Sequence, residues 1–271
     1  MAAPVRPTDG NPTLLLVHAA GLGRGSWDRV VARIPGFART VAIDLPGHGD
    51  TPGLAYDTQV VPRLAEHVAG QIAALGLHRP HVVGHSLGGA VALELAHRVP
   101  LAAVTAFCTI GFCSARHATV RAAKVRALVR LVRRFGPVLR RRLLCHAAVR
   151  WLVMSGLSAK PTALGADVTA ADVTSMIDSD LVEMIRFAGR YAFGAPGRLA
   201  HTPVNLVWAD QDRIVPASAA DRARRAFPHA RQMVIAGCGH LVMRDDPDGM
   251  AAVIHACHTR LMIEHQRRGV G

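Results

Sequence analysis

The sequence predicts an α/β protein: a mostly parallel, doubly wound sheet with a block of helices inserted into it. Three observations point there. Short apolar runs alternate with helical stretches along most of the 271 residues, the pattern of strand–helix–strand crossovers. A stretch of roughly ninety residues between two of those runs contains no strand-like segment and is rich in arginine. One strand–helix junction carries Gly84-His85-Ser86-Leu87-Gly88, a turn in which glycine must flank the serine because no side chain fits there.

The elements follow in order. Thr13-Leu14-Leu15-Leu16-Val17 is apolar throughout and follows Asn11-Pro12, so it reads as a fully buried strand. Gly21 to Gly25 form a loop, and Ser26 is placed to cap a short helix running to Ile34, ahead of Pro35-Gly36. Thr40 to Asp44 is the next strand, ended by Leu45-Pro46-Gly47-His48-Gly49. A helix spans about Thr58 to Leu75 and stops at Gly76. His81 to Gly84 is a strand, Gly88 to Arg98 a helix, and Ala103 to Thr109 another buried strand. From Gly111 to about Arg198 the chain reads as helical and basic. Val204 to Trp208 resumes the sheet, followed by a helix over Ala217–Phe227, a strand over Gln232–Ile235 and a terminal helix from Pro247 to about His265. The expected organisation is a core of residues 1–111 and 199–271 with a cap at 112–198. The sheet should have about six strands. The few residues before Thr13, three of them prolines, leave space for a stub of one more strand at most, unless residues precede Met1.

Composition narrows the function classes. Half the residues are apolar, which argues against disorder. No apolar run approaches the ~18 residues of a membrane span, and Met1 to Pro7 lacks the apolar centre of a signal peptide. Five cysteines, odd in number and without a Cys-x-x-Cys pair, suggest reduced thiols, no structural zinc and a cytoplasmic location. The net charge of +13 is local: no acid occurs between Glu94 and Asp167, and the basic residues outside that stretch equal the 19 acids. Aromatics make up 4 % of the chain and no nucleic-acid motif is present, so nucleic acid is not an expected partner.

Ser86 needs a base and a third group to orient it, because a serine hydroxyl is a weak nucleophile. In open parallel sheets such groups collect in loops at the carboxyl ends of strands. The loop after Val204–Trp208 offers Asp210 and Asp212, and Gly237-Cys238-Gly239-His240 sets a histidine just after the last strand. Cys238 fits this turn as a small filler.

The order serine, aspartate, histidine resembles the α/β-hydrolase fold, esterase and lipase type, over essentially the whole chain. His18-Ala19-Ala20-Gly21 resembles the family's oxyanion loop, with Ala19 where the family has glycine. Asp44-Leu45-Pro46-Gly47-His48-Gly49-Asp50-Thr51 resembles its Asp-x-Pro-Gly-His-Gly turn, where His18 and His48 would bond the loops. Gln211-Asp212-Arg213-Ile214-Val215-Pro216 resembles the segment carrying the triad acid. The resemblance implies Ser86 as nucleophile, His240 as base and Asp212 rather than Asp210 as its partner. It implies Leu87 and Ala20 as oxyanion donors, and no metal or organic cofactor. His85, at the variable elbow position, is expected to line the pocket. The implied activity is hydrolysis of an ester of a small-to-medium hydrophobic acyl group. Thioesterase, lactonase, carbon–carbon bond hydrolase and perhydrolase chemistry on the same triad are the alternatives, and a ligand-binding receptor retaining the pocket is another.

The cap has its own pattern. Val125, Leu128, Val129, Leu131, Val132 and Phe135 project to one helical face, and Arg126, Arg130, Arg133 and Arg134 to the other. Three readings follow: a cap helix with solvated arginines, attraction to an anionic membrane surface, or recognition of an acidic substrate.

Overall fold

The computed structural model describes residues 11–36, 38–193 and 197–269. A six-stranded, wholly parallel sheet runs through the molecule: β1 (Leu14–Val17), β2 (Thr40–Ile43), β3 (His81–His85), β4 (Ala103–Phe107), β5 (Val204–Ala209) and β6 (Arg231–Ile235). The spatial order is β2-β1-β3-β4-β5-β6. The chain leaves β1 in one direction to form β2, then returns past β1 to form β3. That reversal opens a crevice at the carboxyl ends of β1 and β3, the place where such sheets bind ligands. Val17 pairs with Gly84, and His85 with Phe107, so the three central strands end at nearly one level.

Alternate residues of β1 feed two cores. Leu15 and Val17 pack with α2 (Val60–Ala74), α3 (Leu87–Leu95) and α9 (Ser218–Ala226) through Leu64, Val68, Val91 and Ala223. Leu14 and Leu16 pack on the opposite face with α1 (Asp28–Val31), α10 (Val242–Asp245) and α11 (Pro247–Gly269) through Val30, Val242 and Ile254. Both faces of the strand are dry, which is why its sequence is apolar throughout and not alternating.

Between β4 and β5 lie five helices: α4 (Ala115–Arg133), α5 (Pro137–Leu144), α6 (Ala147–Met154), α7 (Ala166–Asp178) and α8 (Leu181–Ala188). They occupy residues 115–188, between the fourth and fifth strands. A further strand stub before Thr13 would fall on residues 1–10, outside the described residues.

Two local expectations need correction. Ser26 does not cap a helix; it sits inside a 3-10 turn, Arg24–Trp27, with Gly23 in extended backbone before it. Its hydroxyl is buried without a partner. The helix that follows is one turn long because Ala32 and Arg33 close it by backbone bonds to Asp28 and Val30. On α4 Leu131 (52 % exposed), and just past its end Phe135 (37 %), do not join the buried face. Val129 is buried and packs with Val125, Leu181 and Val182, so the apolar stripe is narrower than the sequence suggests.

Candidate active site

The elbow is built by close approach. A methyl on Gly84 would collide with the Gly88 carbonyl, and one on Gly88 with the carbonyl of Val17. Strand β3 and helix α3 can meet this tightly only through glycine. Ser86 takes φ +55° and ψ −111°, a conformation side-chain-bearing residues rarely adopt, and one that costs of order 1–3 kcal/mol. Its N–H donates to the Phe107 carbonyl at 2.8 Å, tying the strained residue to β4.

The loops after β5 and β6 bring the other two groups. His240 Nδ1 lies 2.8 Å from Asp212 Oδ2, and His240 Nε2 lies 2.9 Å from Ser86 Oγ. A carboxylate only accepts, so Nδ1 carries the proton and Nε2 is left to accept from the serine. Asp212 Oδ1 accepts the N–H groups of Ile214 (2.7 Å) and Val215 (2.9 Å). Burial alone would raise the Asp212 pKa; the neighbouring His240 and these donors outweigh it and hold the carboxyl below its usual range. Asp210 is excluded from this relay: it is exposed and accepts the Cys238 N–H instead.

Two histidines shape the loop facing Ser86. His18 Nε2 accepts the Leu45 N–H at 2.9 Å, and its Nδ1 bonds the Ala19 carbonyl at 2.8 Å. His48 Nε2 accepts the Gly21 N–H at 2.8 Å. Burial, followed by the adjacent His48, pushes His18 down to about 3, and burial lowers His48 as well. Both are neutral at pH 7 and hold the ends of Ala19-Ala20. Ala20 and Leu87 line the same cavity as Ser86 and His240. Leu87 opens α3, where the first backbone N–H groups lack intrahelical acceptors and the helix dipole favours negative charge.

That cavity, about 130 Å³, is walled by apolar side chains of the core and cap, among them Val125, Met176, Leu181 and Ile214. His85 is not among its walls. This corrects the expectation from the sequence. His85 is the last residue of β3, fully buried, and the strand alternation turns it away from the side Ser86 faces. Its Nε2 lies 2.7 Å from the His240 carbonyl and donates to it, so it steadies His240 from beneath.

Two supporting residues were missed. Cys108, fully buried with φ +46°, sits against Asp212. Burial first, then that carboxylate and a hydrogen bond to it, push its thiol well above the usual range. Asp245 accepts the Gly239 N–H (2.7 Å), the Ala159 N–H (2.8 Å) and the Ser158 hydroxyl. It thereby clamps the His240 turn to the cap segment. The sequence signal for Asp245 is faint: the first of two adjacent acids just after the histidine loop.

Among the described residues, one trio has spacing suited to a metal ion: His85, Cys108 and His240, with donor atoms within 4.8 Å. Its atoms are already committed, since both His240 nitrogens serve the relay and His85 Nε2 holds a carbonyl. The geometry therefore fits triad support better than metal ligation.

Fold and site together define a hydrolase of the α/β class. The chain belongs to the alpha/beta hydrolase family, whose model matches residues 14–253. It is 29 % identical to the magnesium-chelatase 30 kDa subunit of Rhodobacter capsulatus, covering 92 % of this chain and 87 % of that one. Among solved structures it is similar to a bacterial membrane phospholipase A, at 25 % identity with TM-score 0.73, covering 94 % of this chain and 81 % of the other. A thermophilic esterase from Thermogutta terrifontis superposes with TM-score 0.70 at 19 % identity, covering 95 % and 97 %.

Proposed function

We propose that this hydrolase cleaves a carboxylic ester of a small-to-medium hydrophobic acyl group through an acyl-enzyme on Ser86. The observation that carries the reading is the unbroken relay Asp212–His240–Ser86, at 2.8 and 2.9 Å, opening onto an apolar cavity. In the first half-reaction Ser86 Oγ attacks the ester carbonyl while His240 Nε2 takes its proton. The oxygen that becomes negative is received by the N–H groups of Ala20 and Leu87, held in place before the substrate arrives. His240 then protonates the departing alcohol. In the second half-reaction it removes a proton from water, which attacks the acyl carbon and frees Ser86. Asp212 stabilises the imidazolium in both halves and stays ionised.

The small cavity and its apolar walls favour a short hydrophobic acyl group over a polar one. A series of p-nitrophenyl esters graded by acyl length tests this, beside a thioester, a lactone and a peroxide-dependent acid assay. Wild type is expected to prefer one short-to-medium ester, to be labelled by a fluorophosphonate, and to lose at least about 10⁴-fold in turnover on Ser86→Ala. Labelling without turnover of any substrate would favour a ligand-binding receptor. Turnover surviving Ser86→Ala would remove the mechanism.

A further inference from the structure

The cap carries an unusual outer surface. Of eleven large apolar side chains that are exposed among the described residues, seven lie between Val120 and Leu152. Val138 and Leu152 are each 67 % exposed, Trp151 is 55 % and Leu139 is 46 %. They are interleaved with arginines in a stretch that contains no acid from residue 95 to 166. Among the ion pairs of the described residues, only Arg141 from helices α4–α6 meets a carboxylate, and that pair is solvent-exposed.

This surface communicates with the catalytic cavity. Leu152 borders a groove of about 430 Å³ between α4, α6 and α7. Arg121, Val125, Leu157, Met176 and Ile214 line both the groove and the cavity around Ser86. Lys124 and Arg213 add positive charge along the groove, and neither space is lined by a carboxylate.

We propose that helices α4–α6 dock on an anionic lipid bilayer, and that the groove admits to Ser86 a hydrophobic ester of small-to-medium acyl group dissolved in that bilayer. The second clause rests on the hydrolase reading above; the first does not. Apolar side chains enter the interface while the surrounding arginines meet lipid phosphates, the combination that holds amphipathic surfaces on membranes. No helix among the described residues is long and apolar enough to cross a membrane, so the attachment would be peripheral. A nucleic acid would answer the charge but leave the exposed aliphatic side chains without a partner. A second copy of the same face would set arginines against arginines.

Ser86→Ala protein, which keeps the surface and cannot degrade the lipid, is mixed with vesicles of phosphatidylcholine alone or with phosphatidylglycerol. Sedimentation should show binding only with the anionic lipid, weakening as salt rises. Trp27 and Trp208 are buried, so Trp151 reports contact by a blue shift of its emission. Arg134→Glu/Arg142→Glu should weaken binding at least about thirtyfold, and Trp151→Ser/Leu139→Ser at least about tenfold, with unchanged circular dichroism spectra. Equal binding to neutral vesicles, no binding, or an unshifted emission would overturn the docking. So would an RNA oligomer that binds the same face more tightly than anionic vesicles do. Fluorophosphonate labelling of wild type in vesicle-free buffer reports on Ser86 separately; vesicle binding without labelling would leave the docking standing and remove the clause on ester entry.

Discussion

At the residue scale, the site depends on pairs of groups whose protonation states are forced apart by their surroundings. Asp212 is kept ionised by His240 and two backbone donors despite burial. His18 and His48 are kept neutral by burial and can therefore accept N–H groups from Leu45 and Gly21. Asp212→Asn tests this division. The amide oxygen can still accept the Ile214 and Val215 donors, but the imidazole loses its fixed tautomer, so kcat should fall about 10⁴-fold with little loss of stability. Steady-state kinetics beside a thermal melt would check it; a fall below tenfold would mean His240 needs no orienting carboxylate. Ser86, His240 and the two glycines of the elbow were legible because each is required by a local turn. The choice between Asp210 and Asp212 was not settled by residue type, since both lie in one loop; the family resemblance pointed to Asp212, whose Oδ2 lies 2.8 Å from His240 Nδ1. His85 was misplaced because proximity in sequence to Ser86 hides the reversal of side-chain direction along a strand.

At the scale of elements, polar contacts fasten the cap to the core, and one of them is a buried ion pair. Arg244 on α10 makes a bidentate pair with Asp172 on α7, at 2.9 and 2.6 Å, and both side chains are under a tenth exposed. Tyr56 donates to Asp180 at 2.8 Å just before α8. Within the cap, Arg133, at the end of α4, donates to the carbonyls of Ile177, in the last turn of α7, and Ser179, just past it. Removing one member of the buried pair leaves the other charge without its partner. Arg244→Met or Asp172→Leu alone should therefore cost about 3–5 kcal/mol, while the double replacement recovers most of it. Denaturant melts of the three variants measure this, and additive single losses would show the pair is not coupled. The helices themselves were legible from periodicity. Their fastenings were not, because partners such as Asp172 and Arg244 are 72 positions apart and no local pattern links them. The width of the α4 stripe was also overestimated, since Leu131 projects to solvent and Phe135 lies past the end of the helix.

At the scale of the whole molecule, buried neutral histidines make stability depend on pH. His18, His81 and His85 are each pushed down to about 3, burial being the main cause and neighbouring histidines the next. In the unfolded chain they titrate near the ordinary 6.5 and bind protons that the folded state excludes. Their contribution is complete above about pH 6.5 and is lost as pH falls toward 3, at about 1 kcal/mol per histidine by pH 5.5. Melting temperature should drop by roughly 5 °C or more between pH 7.5 and 5.5. Replacing His81, which stacks on His258 and bonds Thr105, by Gln should flatten that dependence. A melting temperature constant over this range would contradict the buried-neutral assignment.

The sheet order was partly legible: six strands and their parallel sense follow from the alternation of elements, but the reversal at β1 arises only when the chain closes. That reversal sets the Ala20 loop beside the elbow, and with it the expectation that Ser86 becomes acylated. The most direct test is mass spectrometry of protein quenched in acid within milliseconds of mixing with the preferred p-nitrophenyl ester. An adduct of one acyl group on the peptide containing Ser86, absent in Ser86→Ala, is the predicted result. Steady turnover with no adduct, or an adduct on another residue, would contradict the account.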